Sequence, residues 1–245
     1  MATPRILATS GGWVAGPVQM SVRLGMMVLD ALAKTNRDRP RVCLVETASG
    51  DPSLYYAMSY EAFNVAGCDV TELKLFPQPS ADPTERLCGS DFVWVGGGSV
   101  ANLLALWRLH GVDDAMREAW QRGVILGGVS AGSLCWHLGG TTDSFGPTLR
   151  PVTNGLGLLP YANGVHYDSE AQRRPLLHQL LKDGVLPPLA YATDDHVGLW
   201  YEGIEATYVV ADSTVCVEEG PAAYRVEFVD GQVVETRVGV GRRFD

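Results

Sequence analysis

Two apolar runs that stop on glycines constrain this chain more than any other feature: FVWVGGG at 92–98 and VILGGVSAG at 124–132. Neither alternates between apolar and polar residues, so a strand built from it is covered on both faces, as in parallel sheets. RILATS (5–10) and RVCLVET (41–47) read as further strands, and DVTELKLF (69–76) alternates. Helical patterns separate these runs. One helix is expected near 17–34, with Val22, Met26, Leu29 and Ala33 on one face, and another near 52–66. ANLLALWRLH (101–110) and DDAMREAWQRG (113–123) supply two more. Strand and helix in alternation predict an α/β fold with a parallel sheet. Beyond about residue 185 the pattern shortens to LAYATDD, VGLWYEG, ATYVVA, TVCVEE and AYRVEFVD, read as strands that finish the sheet antiparallel. The expectation is a single α/β hydrolytic domain over 1–245, a three-layer doubly wound fold around one mostly parallel sheet.

In such a sheet, ligands bind outside the carboxyl ends of the strands. If the strands at 92–95 and 124–128 are neighbours, their two glycine turns face one crevice. Composition narrows what could enter it. The net charge of −9 disfavours nucleic acid, whose phosphates want a basic face. No apolar run reaches the length of a membrane span, about 18 residues. MATPRILATSGG lacks the basic and apolar regions of a signal peptide. The cysteines, Cys43, Cys68, Cys88, Cys135 and Cys216, are odd in number and never form a C-x-x-C pair. That argues against a disulfide framework or a zinc knuckle and fits a reducing, cytoplasmic setting.

Gly128-Val129-Ser130-Ala131-Gly132 satisfies G-x-S-x-G, the strand-to-helix elbow that exposes a nucleophilic serine. The same residues would also make an ordinary glycine-rich turn with Ser130 capping a helix. Gly96-Gly97-Gly98-Ser99-Val100-Ala101 fits the loose dinucleotide fingerprint, but no acidic residue ends the next strand to hold a ribose. A glycine turn beside the elbow serves better as a donor of an oxyanion N–H. Of the five histidines, His110 and His178 fall in amphipathic helical patterns. His137 is expected one to two turns down the helix after Ser130, and His196 in a turn between strands. His166 opens a polar loop after an apolar segment and is the best candidate base. Asp143, in GGTTDSFG, and Asp168, two residues past His166, compete to orient it. A metal site built on His166, Asp168 and Glu170 fits no compact ligand spacing.

VGGGS, then ILGGVSAGS, TTDSFG, and GLGLLP with a histidine shortly after together resemble the aspartyl dipeptidases (peptidase E) and the cyanophycinases. These are relatives of the class I glutamine amidotransferases, with serine for the elbow cysteine. By motif the resemblance covers roughly 90–180, and by element order the whole chain. It implies an amidotransferase-like fold, Ser130 as nucleophile, His166 as base, Asp143 as triad acid, and oxyanion donors at Gly98 and Ala131. The dipeptidases carry an asparagine after their glycines where this chain has Ser99. Their substrate-pairing arginine lies beyond a longer loop, with Arg173 and Arg174 the nearest counterparts here, so aspartyl specificity is left open. The expected function is a cofactor-free serine peptidase acting on small peptides through an acyl-enzyme, with a homodimer as the assembly considered. Competing readings are a non-catalytic sensor on the same scaffold and a nucleotide-dependent enzyme using the triple glycine.

Overall fold

The structure is a computed structural model describing residues 3–19, 21–212 and 220–244. The expected strand TVCVEE and Cys216 lie outside the described residues. The chain opens with β1 (Arg5–Thr9), the short strands β2 (Trp13–Ala15) and β3 (Val22–Leu24), and helix α1 (Met26–Ala33). It continues through β4 (Arg41–Val45), α2 (Ser53–Val65), β5 (Asp69–Glu72), α3 (Pro83–Cys88) and β6 (Phe92–Val95). Helices α4 (Val100–His110) and α5 (Val112–Gln121) precede β7 (Ile125–Val129) and the one-turn α6 (Ala131–Leu134). The second half holds β8 (His137–Thr142), β9 (Arg150–Val152), β10 (Leu159–Gly164), α7 (Arg173–Lys182) and β11 (Leu189–Thr193). It ends with β12 (Val197–Glu202), β13 (Glu205–Ala211), β14 (Ala222–Val229) and β15 (Gln232–Gly239).

The strands form a seven-stranded sheet in the order β13-β12-β1-β7-β6-β4-β5 and a six-stranded sheet in the order β15-β14-β11-β10-β8-β9. In the first, β1, β7, β6, β4 and β5 are parallel, and β12 and β13 close the edge antiparallel. The expected single sheet is therefore two, and the chain crosses between them at α6, at 194–196 and between β13 and β14. The continuous apolar runs are covered on both faces, as predicted. Alternate residues of β6 point opposite ways, as in any strand. Val93 and Val95 pack with Leu103, Leu104 and Trp107 of α4, while Phe92 and Trp94 pack with Met27, Val28 and Phe63 of α1 and α2. Burying each such aliphatic or phenyl side chain contributes about 1.5–3 kcal/mol.

The helix expected at 17–34 is shorter, and its face differs. The Gly16 N–H donates to the Ser21 carbonyl where β2 and β3 fold into a two-stranded ribbon, and helix begins only after Gly25. The inner face is Met27, Val28, Ala31 and Leu32, while Met26 and Leu29 are exposed. Apolar residues surround this helix, so periodicity alone does not set its phase. Asp30, which accepts hydrogen bonds from Trp200 Nε1 (2.8 Å) and the Tyr208 hydroxyl (3.0 Å), contributes the polar anchor. Among the described residues no helix is long and apolar enough to cross a membrane.

Candidate active site

Strands β6 and β7 are neighbours, so their glycine turns do open on one crevice. Ser130 sits between β7 and α6 at φ 56°, ψ −110°. A non-glycine residue in this region costs on the order of 1–3 kcal/mol and persists only where its surroundings enforce it. Here its N–H donates to the Thr9 carbonyl (3.0 Å), and its own carbonyl accepts from Ser133 and Leu134 (2.9 Å each). The glycines on either side are packing requirements. A Cβ on Gly128 would lie 2.5 Å from the Gly132 oxygen, and one on Gly132 would lie 2.3 Å from the Val95 oxygen. The elbow motif is thus the close contact of β6, β7 and α6 written in sequence.

The triple glycine has a separate reason at each position. A Cβ on Gly96 would fall 1.9 Å from Glu46 Oε2. Gly98 holds φ 133°, and a Cβ there would meet the Ala48 oxygen at 2.4 Å. Gly97 lies across from the elbow, its missing Cβ 3.4 Å from Ser130 Cβ. The Ser99 hydroxyl accepts from the Asn102 N–H (3.2 Å) and is taken up as the N-cap of α4. Among the described residues, the N–H groups of Gly98 and Ala131 donate to no protein acceptor.

His166 follows β10 and comes to the same end of β1 as the elbow. Its N–H donates to Ser10 Oγ (3.0 Å), and Ser10 Oγ contacts Thr193 Oγ1 (2.7 Å) at the end of β11. Consecutive residues, Thr9 and Ser10, therefore fix the backbones of Ser130 and His166. The ring Nδ1 of His166 is 2.5 Å from Asp195 Oδ1. This corrects the expected acid: the carboxylate on His166 is Asp195, neither Asp143 nor Asp168. Strands β10 and β11 are parallel neighbours, so residues just past their carboxyl ends arrive side by side. Burial works against the charged form of Asp195, but hydrogen bonds from His166 and Ser169 hold it below the usual carboxylate range. Asp168 acts one step back, its Oδ1 accepting the Asp195 N–H (2.9 Å).

Asp143 lies exposed in the turn after β8, beside Gly146, Pro147 and Gln172, with no hydrogen bond to His166. The two arginines are committed elsewhere. Arg173 is buried, its Nε 2.8 Å from Glu170 Oε2 and its Nη1 on the Thr141 oxygen. Arg174 stacks over Tyr167 and Tyr224 and pairs with Glu235 (3.1 Å). His137 is not on a helix; α6 ends after one turn and His137 starts β8, fully buried. Its Nδ1 is 2.9 Å from the Ser133 oxygen, and burial pushes its pKa down to about 4. His196 does occupy a turn, exposed at φ 64°. Cys43, Cys68, Cys88 and Cys135 are free thiols. Among the described residues no cluster of three or more His, Cys, Asp or Glu is arranged to hold a metal ion.

Asp195 was legible only in part from sequence. TDD follows an apolar strand, as a site carboxylate would, but nothing local reveals that this strand lies beside the one delivering His166.

Comparison with known proteins places the chain among peptidases. The profile of peptidase family S51 matches residues 6–209. The chain is 38% identical over 204 residues to the uncharacterized peptidase YgaJ of Bacillus subtilis (strain 168), a match that covers 83% of this chain and 85% of that one. It is 31% identical over 133 residues to peptidase E of Shewanella denitrificans, spanning about half of each (51% and 56%). Among solved structures, a peptidase from an acI-B1 actinobacterium superposes with a TM-score of 0.70 at 13% identity, over 99% of this chain and 96% of that one. A putative peptidase E from Listeria monocytogenes EGD-e gives 0.60 at 18%, over 86% and 99%. At such identities the structural likeness speaks for the fold, and the expected α/β, amidotransferase-like architecture is met.

Proposed function

The chain belongs to peptidase family S51 and is a serine-type peptidase, and from that premise we propose that Ser130, His166 and Asp195 form its triad and act on small peptides. With Nδ1 facing Asp195, the other ring nitrogen of His166 is left to take the proton from Ser130 Oγ as that oxygen attacks the scissile carbonyl. Asp195 holds the ring in the required tautomer and stabilises the imidazolium. The Gly98 and Ala131 N–H groups receive the oxyanion, an effect worth about 3–4 kcal/mol per donor where it has been measured in a serine protease. The His166 imidazolium then gives its proton to the leaving amine as the scissile C–N bond breaks, and the resulting acyl-enzyme is hydrolysed by water activated on the same histidine.

The observation carrying this reading is the joint anchoring of Ser130 and His166 on Thr9 and Ser10, with Asp195 on ring Nδ1. A fluorophosphonate probe tests it directly. It should label wild-type protein at Ser130 and leave Ser130→Ala unlabelled. A wild type that stays unlabelled while correctly folded would instead fit a binding domain on the same scaffold.

A further inference from the structure

Beside the nucleophile lies a second constellation that the triad does not use. A cavity of about 430 Å³ is walled by Trp13 and Val22 of the β2–β3 ribbon, Tyr55 and Met58 of α2, the glycine turn 96–98, and Val129 next to Ser130. Its lining is apolar apart from Ser49, Ser59 and one charged group, Glu46. That side chain follows β4 and is 4% exposed. Its backbone is rigidly held: the N–H donates to the Tyr56 hydroxyl (3.2 Å), and the carbonyl accepts from Ser49 and Asp51 (3.1 Å each).

The carboxylate is poorly satisfied. Oε1 has one long contact, from Ser59 Oγ at 3.4 Å, and Oε2 rests against the bare Cα of Gly96. No Lys, Arg or His among the described residues pairs with it. The charge that acts on it is Asp51, which is of like sign. A buried, unpaired carboxylate is expensive, and proteins retain one chiefly where a partner comes to meet it. Gly96 makes room for it at this spot, since any side chain there would displace Oε2.

We propose that this cavity is a substrate subsite that takes a cationic group on a short apolar stem, with Glu46 as its counter-ion. The apolar walls suit the methylenes of a lysine or arginine side chain, and Trp13 and Tyr55 offer aromatic faces to the cation. A free α-ammonium is the other source of the same charge. The subsite rests on Ser130 being the nucleophile, because its position through Gly97 and Val129 is what makes it a substrate site.

Protection of Ser130 from fluorophosphonate labelling tests the subsite without a known substrate. n-Butylguanidinium and n-butylammonium should slow labelling of wild-type protein, n-pentanol should protect at least tenfold less, and Glu46→Gln should weaken protection by the cations about ten- to a hundredfold. Alaninamide serves as the α-ammonium arm; protection by it but not by the butyl cations assigns the charge to a peptide N-terminus. Equal protection by pentanol and the cations overturns the proposal, and needs no variant to fold. So does Glu46→Gln protection matching wild type. If wild type does not label at all, the catalytic reading fails separately, and the cavity is then read by thermal shift: stabilisation by n-butylguanidinium but not by pentanol supports it, and no difference overturns it.

Discussion

Asp195, Asp168 and Asp143 are three carboxylates with three different relations to His166, and their variants should rank accordingly. Asp195 bonds the ring itself, so Asp195→Asn keeps the shape but removes the charge and permits the wrong tautomer. We expect kcat to fall about 10⁴-fold, as in a well-studied triad. Asp168 holds only the Asp195 N–H. Asp168→Ala should lose roughly one hydrogen bond, about 1 kcal/mol or some fivefold in kcat. Asp143→Asn should stay within about twofold of wild type, the usual span of a surface change. Steady-state kinetics on any peptide the enzyme turns over will rank the three. A large loss at Asp143 with a small one at Asp195 would return the acid to the position the family resemblance implies.

At the scale of elements, the site depends on how closely a one-turn helix approaches a strand. The contact of α6 with β6 leaves no space for a methyl group at Gly132, where the Val95 oxygen stands 2.3 Å from the virtual Cβ. Gly132→Ala should therefore push α6 outward, costing about 1–3 kcal/mol in stability by overpacking. It should also slow fluorophosphonate labelling, because Ser130 is the residue joining α6 to β7. Thermal melts and labelling rates measured together check this. A variant that melts and labels like wild type would show that the elbow has slack the geometry does not suggest. The pair β10–β11 plays the complementary part. Parallel and in register at Gly164 and Ala192, it sets His166 and Asp195 beside each other.

Over the whole molecule, Glu46 links the cavity to stability. Burial raises its pKa from 4.5 to about 7, with Ser59 lowering it and Asp51 raising it; the Tyr56 hydroxyl also faces this segment. A carboxyl whose folded pKa is raised contributes stability that is full below its unfolded pKa and is lost as pH climbs through the folded one. The unliganded protein should thus lose stability between about pH 4.5 and 7 from this group, by on the order of 1–3 kcal/mol. Glu46→Gln has no charge to bury and should lack that decline. Its Tm relative to wild type should rise across this window and level off above it. Parallel Tm–pH profiles for the two proteins would refute the burial of a charge at this position.

The covered strands, the glycine turns after FVWV and VILGG, Ser130 between its glycines, and His166 past GLGLLP are all legible in the sequence, because each is a local pattern of backbone freedom or apolar continuity. The sequence also carried the family, through motifs that are each only a few residues long. Everything that depends on which strands are neighbours comes from the packed fold instead. The split into two sheets, the pairing of His166 with Asp195 rather than Asp143, the commitment of Arg173 and Arg174 to internal partners, and the meeting of Glu46 with Gly96 all follow from that. A carboxylate in TDD and one in TTDS look alike in sequence. They differ only in which parallel strand delivers them, and strand order is set by packing both faces of the sheet at once.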